Sequence, residues 1–232
     1  MYKKKIKNLI GAYYFTKFKF FLRTFISYKI GDNYFSYLNK KFQTDKCTHN
    51  YDDFYVNFFR RKRFKKLKIL EIGIGGHQEE DFLGGSLILW NNYCPFSQIY
   101  GIDISSKPLF KKYRRIQTFV VDQSNTESLE EFAKEHGPFD IIIDDGSHFT
   151  DHILITFNAL YKFLNSDGCY FIEDMGTTYL KSFSGEPDIN KNSLFFTRIM
   201  QISKMTSRTS ISNNYEDLKE EFTKLHSITF GD

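Results

Sequence analysis

Short β-branched and aliphatic runs recur through the middle of the chain, each closed by acidic or glycine-rich residues, and stretches with helical spacing separate them. Lys68 to Ile72 is the first such run. Gln98 to Asp103, Ile116 to Val121, Phe139 to Ile143 and Cys169 to Ile172 follow, and together they predict five strands. Helices are predicted from Gly84 to about Tyr93, where Pro95 stops the first of them, from about Thr126 to His136, and through the apolar positions Ile153, Leu154, Phe157, Leu160, Tyr161 and Leu164. Ser124 or Asn125 caps the second of these, and Asp167-Gly168 reads as the turn into strand five. Strands alternating with helices predict an α/β fold with a parallel sheet. Polar residues at every strand end place a site along its carboxyl edge.

Flanking segments carry different patterns. Residues 1–31 hold apolar positions near helical spacing, including Ile6, Ile10, Tyr14, Phe18, Phe21 and Phe25, interrupted by Lys17, Lys19 and Arg23. Those charges exclude a membrane span or a signal-peptide core and leave two readings open. One is a basic amphipathic helix on an anionic membrane surface; the other is a helix packed on the body or on a second subunit. Residues 34–67 read as helical around a polar interruption, Gln43 to Tyr51. Tyr51 through Arg63 forms the second helix, with Tyr51, Phe54, Tyr55, Phe58 and Phe59 on its apolar face and Arg60 to Arg63 as a solvated basic last turn. Beyond strand five, residues 175–192 make a loop long enough to be a lid, followed by helices near 192–204 and 215–223 and a strand over 226–230. The expected units are thus a basic aromatic helix over 1–33, a helical cap over 34–67 and the main α/β domain over 68–232.

Charge sharpens this division. The formal net charge is +4, but residues 1–31 alone carry +8, so the remaining 201 residues sum to −4. A mildly acidic body argues against a nucleic-acid binder. Three widely spaced cysteines, Cys47, Cys94 and Cys169, form no metal or redox pair and suit a reduced, cytoplasmic compartment.

Candidate chemistry gathers at the strand ends. Leu70-Glu71-Ile72-Gly73-Ile74-Gly75-Gly76 is a turn in which backbone can approach a ligand where a Cβ would clash. By itself it suits a nicotinamide enzyme as well as other nucleotide binders, although the third spaced glycine of G-x-G-x-x-G is missing. Asp103, at the end of strand two, is placed to accept hydrogen bonds from ribose hydroxyls. Asp145 closes strand four, and Glu173 and Asp174 close the neighbouring strand five. Three carboxylates would converge there within about 5–10 Å. Such a cluster repels itself unless neutralised, and Mg²⁺ with oxygen ligands is the natural solution. His148, three residues past Asp145, is placed as a general base that removes a proton from a hydroxyl beside the cation.

The segments LEIGIGG, GGSLILW, YGIDIS, VVDQSN, IIIDDGSH and FIEDM, with TDKCTHNYDDFY upstream, resemble the class I S-adenosylmethionine-dependent methyltransferases. Within that family they look most like the metal-dependent sugar O-methyltransferases of macrolide tailoring. The resemblance covers roughly residues 42–180. It implies a Rossmann-like, doubly wound, mostly parallel sheet of the class I methyltransferase type, carrying the N-terminal helical extension. It also implies that Glu71, Gly73 and Gly75 form the turn beneath the methionine part of S-adenosylmethionine, with Ser86 near its carboxylate. Asp103 would hold the ribose, and Asp122 and Gln123 would border the adenine. Asp145, Glu173 and Asp174 would bind Mg²⁺, His148 would be the base, and Lys46, His49 and Tyr51 would close over cofactor or substrate. The family ends in two antiparallel strands, of which HSITFGD supplies one, so the last strand is expected to be missing or supplied by a partner.

The function implied is O-methylation of a hydroxyl on a sugar or sugar-containing metabolite. Methylation of another small acceptor, and a catalytically impaired scaffold or homo-oligomerisation module, are the alternatives. Thr177, Thr178, Tyr179 and Phe183 are the residues expected to line the acceptor pocket.

Overall fold

The computed structural model describes residues 34–47, 51–75 and 84–188. The expected N-terminal helix, His49, Gly76, the helices near 192–204 and 215–223, the strand over 226–230 and the question of a missing last strand lie outside these residues.

Five strands, β1 (Lys68–Ile72), β2 (Gln98–Asp103), β3 (Ile116–Val120), β4 (Phe139–Asp144) and β5 (Leu164–Ile172), form one sheet in the order β3-β2-β1-β4-β5. Every pairing is parallel. The strand order reverses between β1 and β4, and in open α/β sheets the crevice at such a reversal is where ligands bind. β1 and β4 are apolar at most positions because both of their faces are covered, with Glu71 and Asp140 as the polar exceptions between their end residues. On one face Ile69, Ile99, Ile141 and Ile143 pack with Leu87 and Trp90 of α3 (Gly85–Tyr93). The same core takes Phe35 and Leu38 of α1 (residues 34–42) and Tyr55, Val56 and Phe59 of α2 (Asp52–Phe59), so the 34–67 segment shares its interior with the sheet. On the other face Leu70, Ile72, Ile102 and Ile142 meet Leu129 and Phe132 of α4 (Thr126–His136) and Ala159 and Leu160 of α5 (Thr150–Leu160).

Asn125 is the cap of α4, its side-chain oxygen accepting from Ser128 N at 3.0 Å. Asn125→Ala is expected to lower stability by about 1 kcal/mol, read as a shift in the urea midpoint without change of slope.

Two local expectations are corrected. Asp167-Gly168 is not a turn: β5 begins at Leu164, and its pairing with β4 shifts register between Phe139 and Ile141. The extra residues are held where Asn165 Nδ2 donates to Asp140 Oδ1 at 2.9 Å. Likewise α2 stops at Phe59, and Arg60 to Phe64 follow as turns. Arg63 is therefore not part of a solvated patch. It is 3% exposed, its guanidinium lying 4.5 Å from the centre of the Tyr93 ring.

Candidate active site

A cleft of about 450 Å³ opens over the carboxyl ends of β1 to β4. Gly73 and Gly75 line it, both in the left-handed region at φ 76° and 74°. A Cβ on Gly73 would stand 2.2 Å from the carbonyl oxygen of Asp145, so glycine is what lets the β1 and β4 loops touch. Asp103 anchors this turn: its Oδ2 accepts from Ile74 N at 3.1 Å, while Oδ1 accepts from Ser105 N and Oγ at 2.9 Å. Asp122 accepts from Ser124 N and Oγ, and those hydrogen bonds hold its carboxyl below the usual range. Gln123 clips two loops together, donating to Asp144 Oδ1 at 2.8 Å and accepting from Ser147 N at 2.9 Å. Burial pushes Asp144 up to about 7. Gly73, Gly75, Ser86, Asp103, Asp122 and Gln123 all border the cleft together with Asp145 and His148. Glu71 lies behind the wall, fully buried, and accepts from Trp90 Nε1 at 3.1 Å.

The acidic edge is arranged differently from the expected trio. A buried ammonium, Lys46 Nζ, lies 2.6 Å from Glu173 Oε1, 3.1 Å from Asp145 Oδ2 and 3.3 Å from Glu71 Oε1. Lys46 thus sits inside the protein instead of closing over the cleft. Burial opposes its charge, but the three carboxylates win and hold it ionised. The hydroxyl of Tyr55 also donates to Glu173 Oε1. Glu173 is 4% exposed, and burial pushes its carboxyl up against the pull of Lys46. Asp145 is pushed up to about 6 by burial, again against Lys46.

Asp174 faces the other way. Ligand atoms of Asp145, His148 and Asp174 lie within 4.8 Å of one another, a donor set able to hold a cation. His148 Nε2 is 3.7 Å from Asp174 Oδ2. Both residues have left-handed backbone, φ 60° and 51°. Side chains pin both: Thr177 Oγ1 donates to the His148 carbonyl at 3.0 Å, and Tyr51 OH donates to Asp174 Oδ1 and accepts from Asp174 N, each at 2.8 Å. Of the other residues expected at an acceptor pocket, Thr178 is fully buried, Phe183 packs on Phe149 at 5.6 Å and Tyr179 stands 36% exposed.

No protein-family model matches the chain. It is 40% identical over 159 residues to the demethylmacrocin O-methyltransferase of Streptomyces fradiae, covering 68% of this chain and 40% of that protein. It is also 40% identical over 155 residues to the mycinamicin VI 2''-O-methyltransferase of Micromonospora griseorubida, covering 66% and 39%. The solved structure of the MycE methyltransferase of mycinamycin biosynthesis, in complex with Mg, SAH and mycinamycin VI, superimposes with a TM-score of 0.71 at 36% identity. That match covers 75% of this chain and 48% of the other. The chain belongs to the class I methyltransferases and resembles the macrocin and mycinamicin enzymes over the stretch they share. It spans about two fifths of the length of these curated relatives.

Within the methyltransferase fold, the cleft and the acidic edge are two halves of one rim, and Asp145 and His148 belong to both. Lys46 was expected to close over cofactor or substrate and not to be buried among carboxylates, and Tyr55 was read only as part of an apolar helix face. Their partners lie 127 and 118 residues away, and neither carries a local sign beyond the resemblance of the TDK segment.

Proposed function

We propose that the chain transfers the methyl group of S-adenosylmethionine to a hydroxyl of a sugar carried by a small-molecule acceptor, with a divalent cation of the Mg²⁺ kind at the acidic edge. The observation that carries this reading is the shared rim, on which a glycine-turn cleft meets the cluster of Asp145, His148 and Asp174. The activities of the relatives, a demethylmacrocin and a mycinamicin VI O-methyltransferase at 40% identity, support the same class of reaction.

The donor chemistry fits a hard cation. Asp145 and Asp174 would hold it through carboxylate oxygens, and Glu173 would add its second oxygen, since Oε1 is committed to Lys46 and Tyr55. Such a cation supplies charge that acidifies a hydroxyl bound beside it. His148 then removes the hydroxyl proton, held toward the cluster by Asp174 and by the Thr177 bond to its carbonyl. Gly73 and Gly75 admit the methionine part of the cofactor against the backbone, and Asp103 presents its carboxylate to the ribose. Transfer breaks the sulfonium–methyl bond as the oxygen–methyl bond forms, so the fold's share is in-line positioning. Three free cysteines suit a reduced, cytoplasmic place of action.

Thermal-shift titrations with S-adenosylmethionine and S-adenosylhomocysteine, with and without Mg²⁺, test the reading. Ligand at a hundred times its Kd should stabilise the fold by about 2.7 kcal/mol, and Mg²⁺ should add to the shift. No shift with either nucleoside would leave a methyltransferase-like scaffold as the better description. Full transfer of labelled methyl by chelator-treated protein would remove the cation from the proposal.

A further inference from the structure

Lys46 is the buried group that the proposed reaction does not use. It is 0% exposed, yet it meets carboxylates from the ends of three strands: Glu71 of β1, Asp145 after β4 and Glu173 after β5. Asp174 stands on the far side of Asp145, within reach of the same atoms that would ligate a cation. Three carboxylates therefore share one internal ammonium, and Asp174 is grouped with one of them, Asp145. The rings of Tyr55 and Trp90 lie over that ammonium at 5.8 and 5.9 Å.

We infer that Lys46 is the resident counter-cation of the acidic edge, a positioning residue that holds Glu71, Asp145 and Glu173 together before a divalent cation arrives and weakens the grip on that cation afterwards. The inference rests on the proposed cation site at Asp145 and Asp174 and deepens it. Its physical basis is that the ammonium and the divalent ion address the same carboxylates. Lys46 occupies one oxygen of Asp145 and one of Glu173, and its positive charge lies a few ångströms from where the second cation must sit. Each cation thus lowers the other's contribution. The edge is assembled when empty, and the ion that enters it remains exchangeable.

The test is Mn²⁺ binding, followed by electron paramagnetic resonance, together with melting temperature, in the wild-type protein, Lys46→Met and Lys46→Arg. Lys46→Met should melt lower without metal, bind Mn²⁺ more tightly by about tenfold or more, and regain more of its melting temperature on Mn²⁺ addition than wild type gains. Lys46→Arg, which keeps the charge, should bind Mn²⁺ like wild type. A merely structural lysine would lower the melting temperature and leave Mn²⁺ affinity unchanged or weaker, and that result overturns the inference while the cation site stands. Absence of Mn²⁺ binding by every protein would remove the cation site and this inference with it. If Lys46→Met does not fold, Lys46→Gln, which keeps an N–H donor for Glu173 without the charge, carries the same comparison. Failure of both to fold even with Mn²⁺ present would count against a role that a second cation can share.

Discussion

Replacing His148 with alanine is expected to cut methyl transfer by about two to four orders of magnitude while leaving S-adenosylhomocysteine affinity unchanged. The separation follows from how the residue is held. Its backbone sits in the left-handed region, fixed by the Thr177 hydroxyl on its carbonyl, and the imidazole is directed at Asp174 without taking part in the packed core. Removing the ring therefore leaves the loop in place. It also leaves untouched the glycine turn and Asp103, which would hold the cofactor. Single-turnover transfer of labelled methyl to a glycosylated acceptor, paired with calorimetric titration of S-adenosylhomocysteine, checks both halves. Transfer at the wild-type rate would remove His148 from the base role and leave it as a loop residue under backbone strain.

The sheet was legible because its chemistry is local. β1 and β2 match their expected limits, since strands covered on both faces read as mostly apolar runs, interrupted in β1 only by the buried Glu71. The start of β5 was hidden because Asp167-Gly168 carries turn chemistry, which the register shift against β4 overrides. Glu173 and Asp174 looked equivalent as neighbours in sequence. At the end of the strand they diverge: Glu173 turns inward to Lys46 and Tyr55, and Asp174 turns to His148 and Tyr51. No pattern of spacing distinguishes them, because the difference is made largely by Lys46, Tyr51 and Tyr55, which lie far away along the chain. Arg63 was hidden because it is one of four adjacent cations in sequence, and its burial depends on tertiary packing against the Tyr93 ring.

Gly73→Ala should be the most damaging single methyl group in the cleft, lowering stability by about 2–4 kcal/mol. Two costs combine. The backbone at φ 76° is disfavoured for any L side chain, and the new Cβ would stand 2.2 Å from Asp145 O and 2.5 Å from Gly146 Cα. Both obstacles are main-chain atoms, so no rotamer change relieves them. One loop must move, and the β4 loop carries Asp145 and His148. The loss should therefore reach beyond the cofactor turn and weaken Mn²⁺ binding as well as S-adenosylhomocysteine binding. Gly75→Ala is the matched control. Its φ of 74° imposes the same conformational cost, but among the described residues its Cβ would meet only Gly84 N at 3.8 Å, so the expected loss is about 1 kcal/mol. Urea unfolding of the two variants, with titrations of both ligands, separates strain from collision. Equal effects at the two glycines would mean that the contact between the β1 and β4 loops does not couple the cofactor half of the rim to its chemical half.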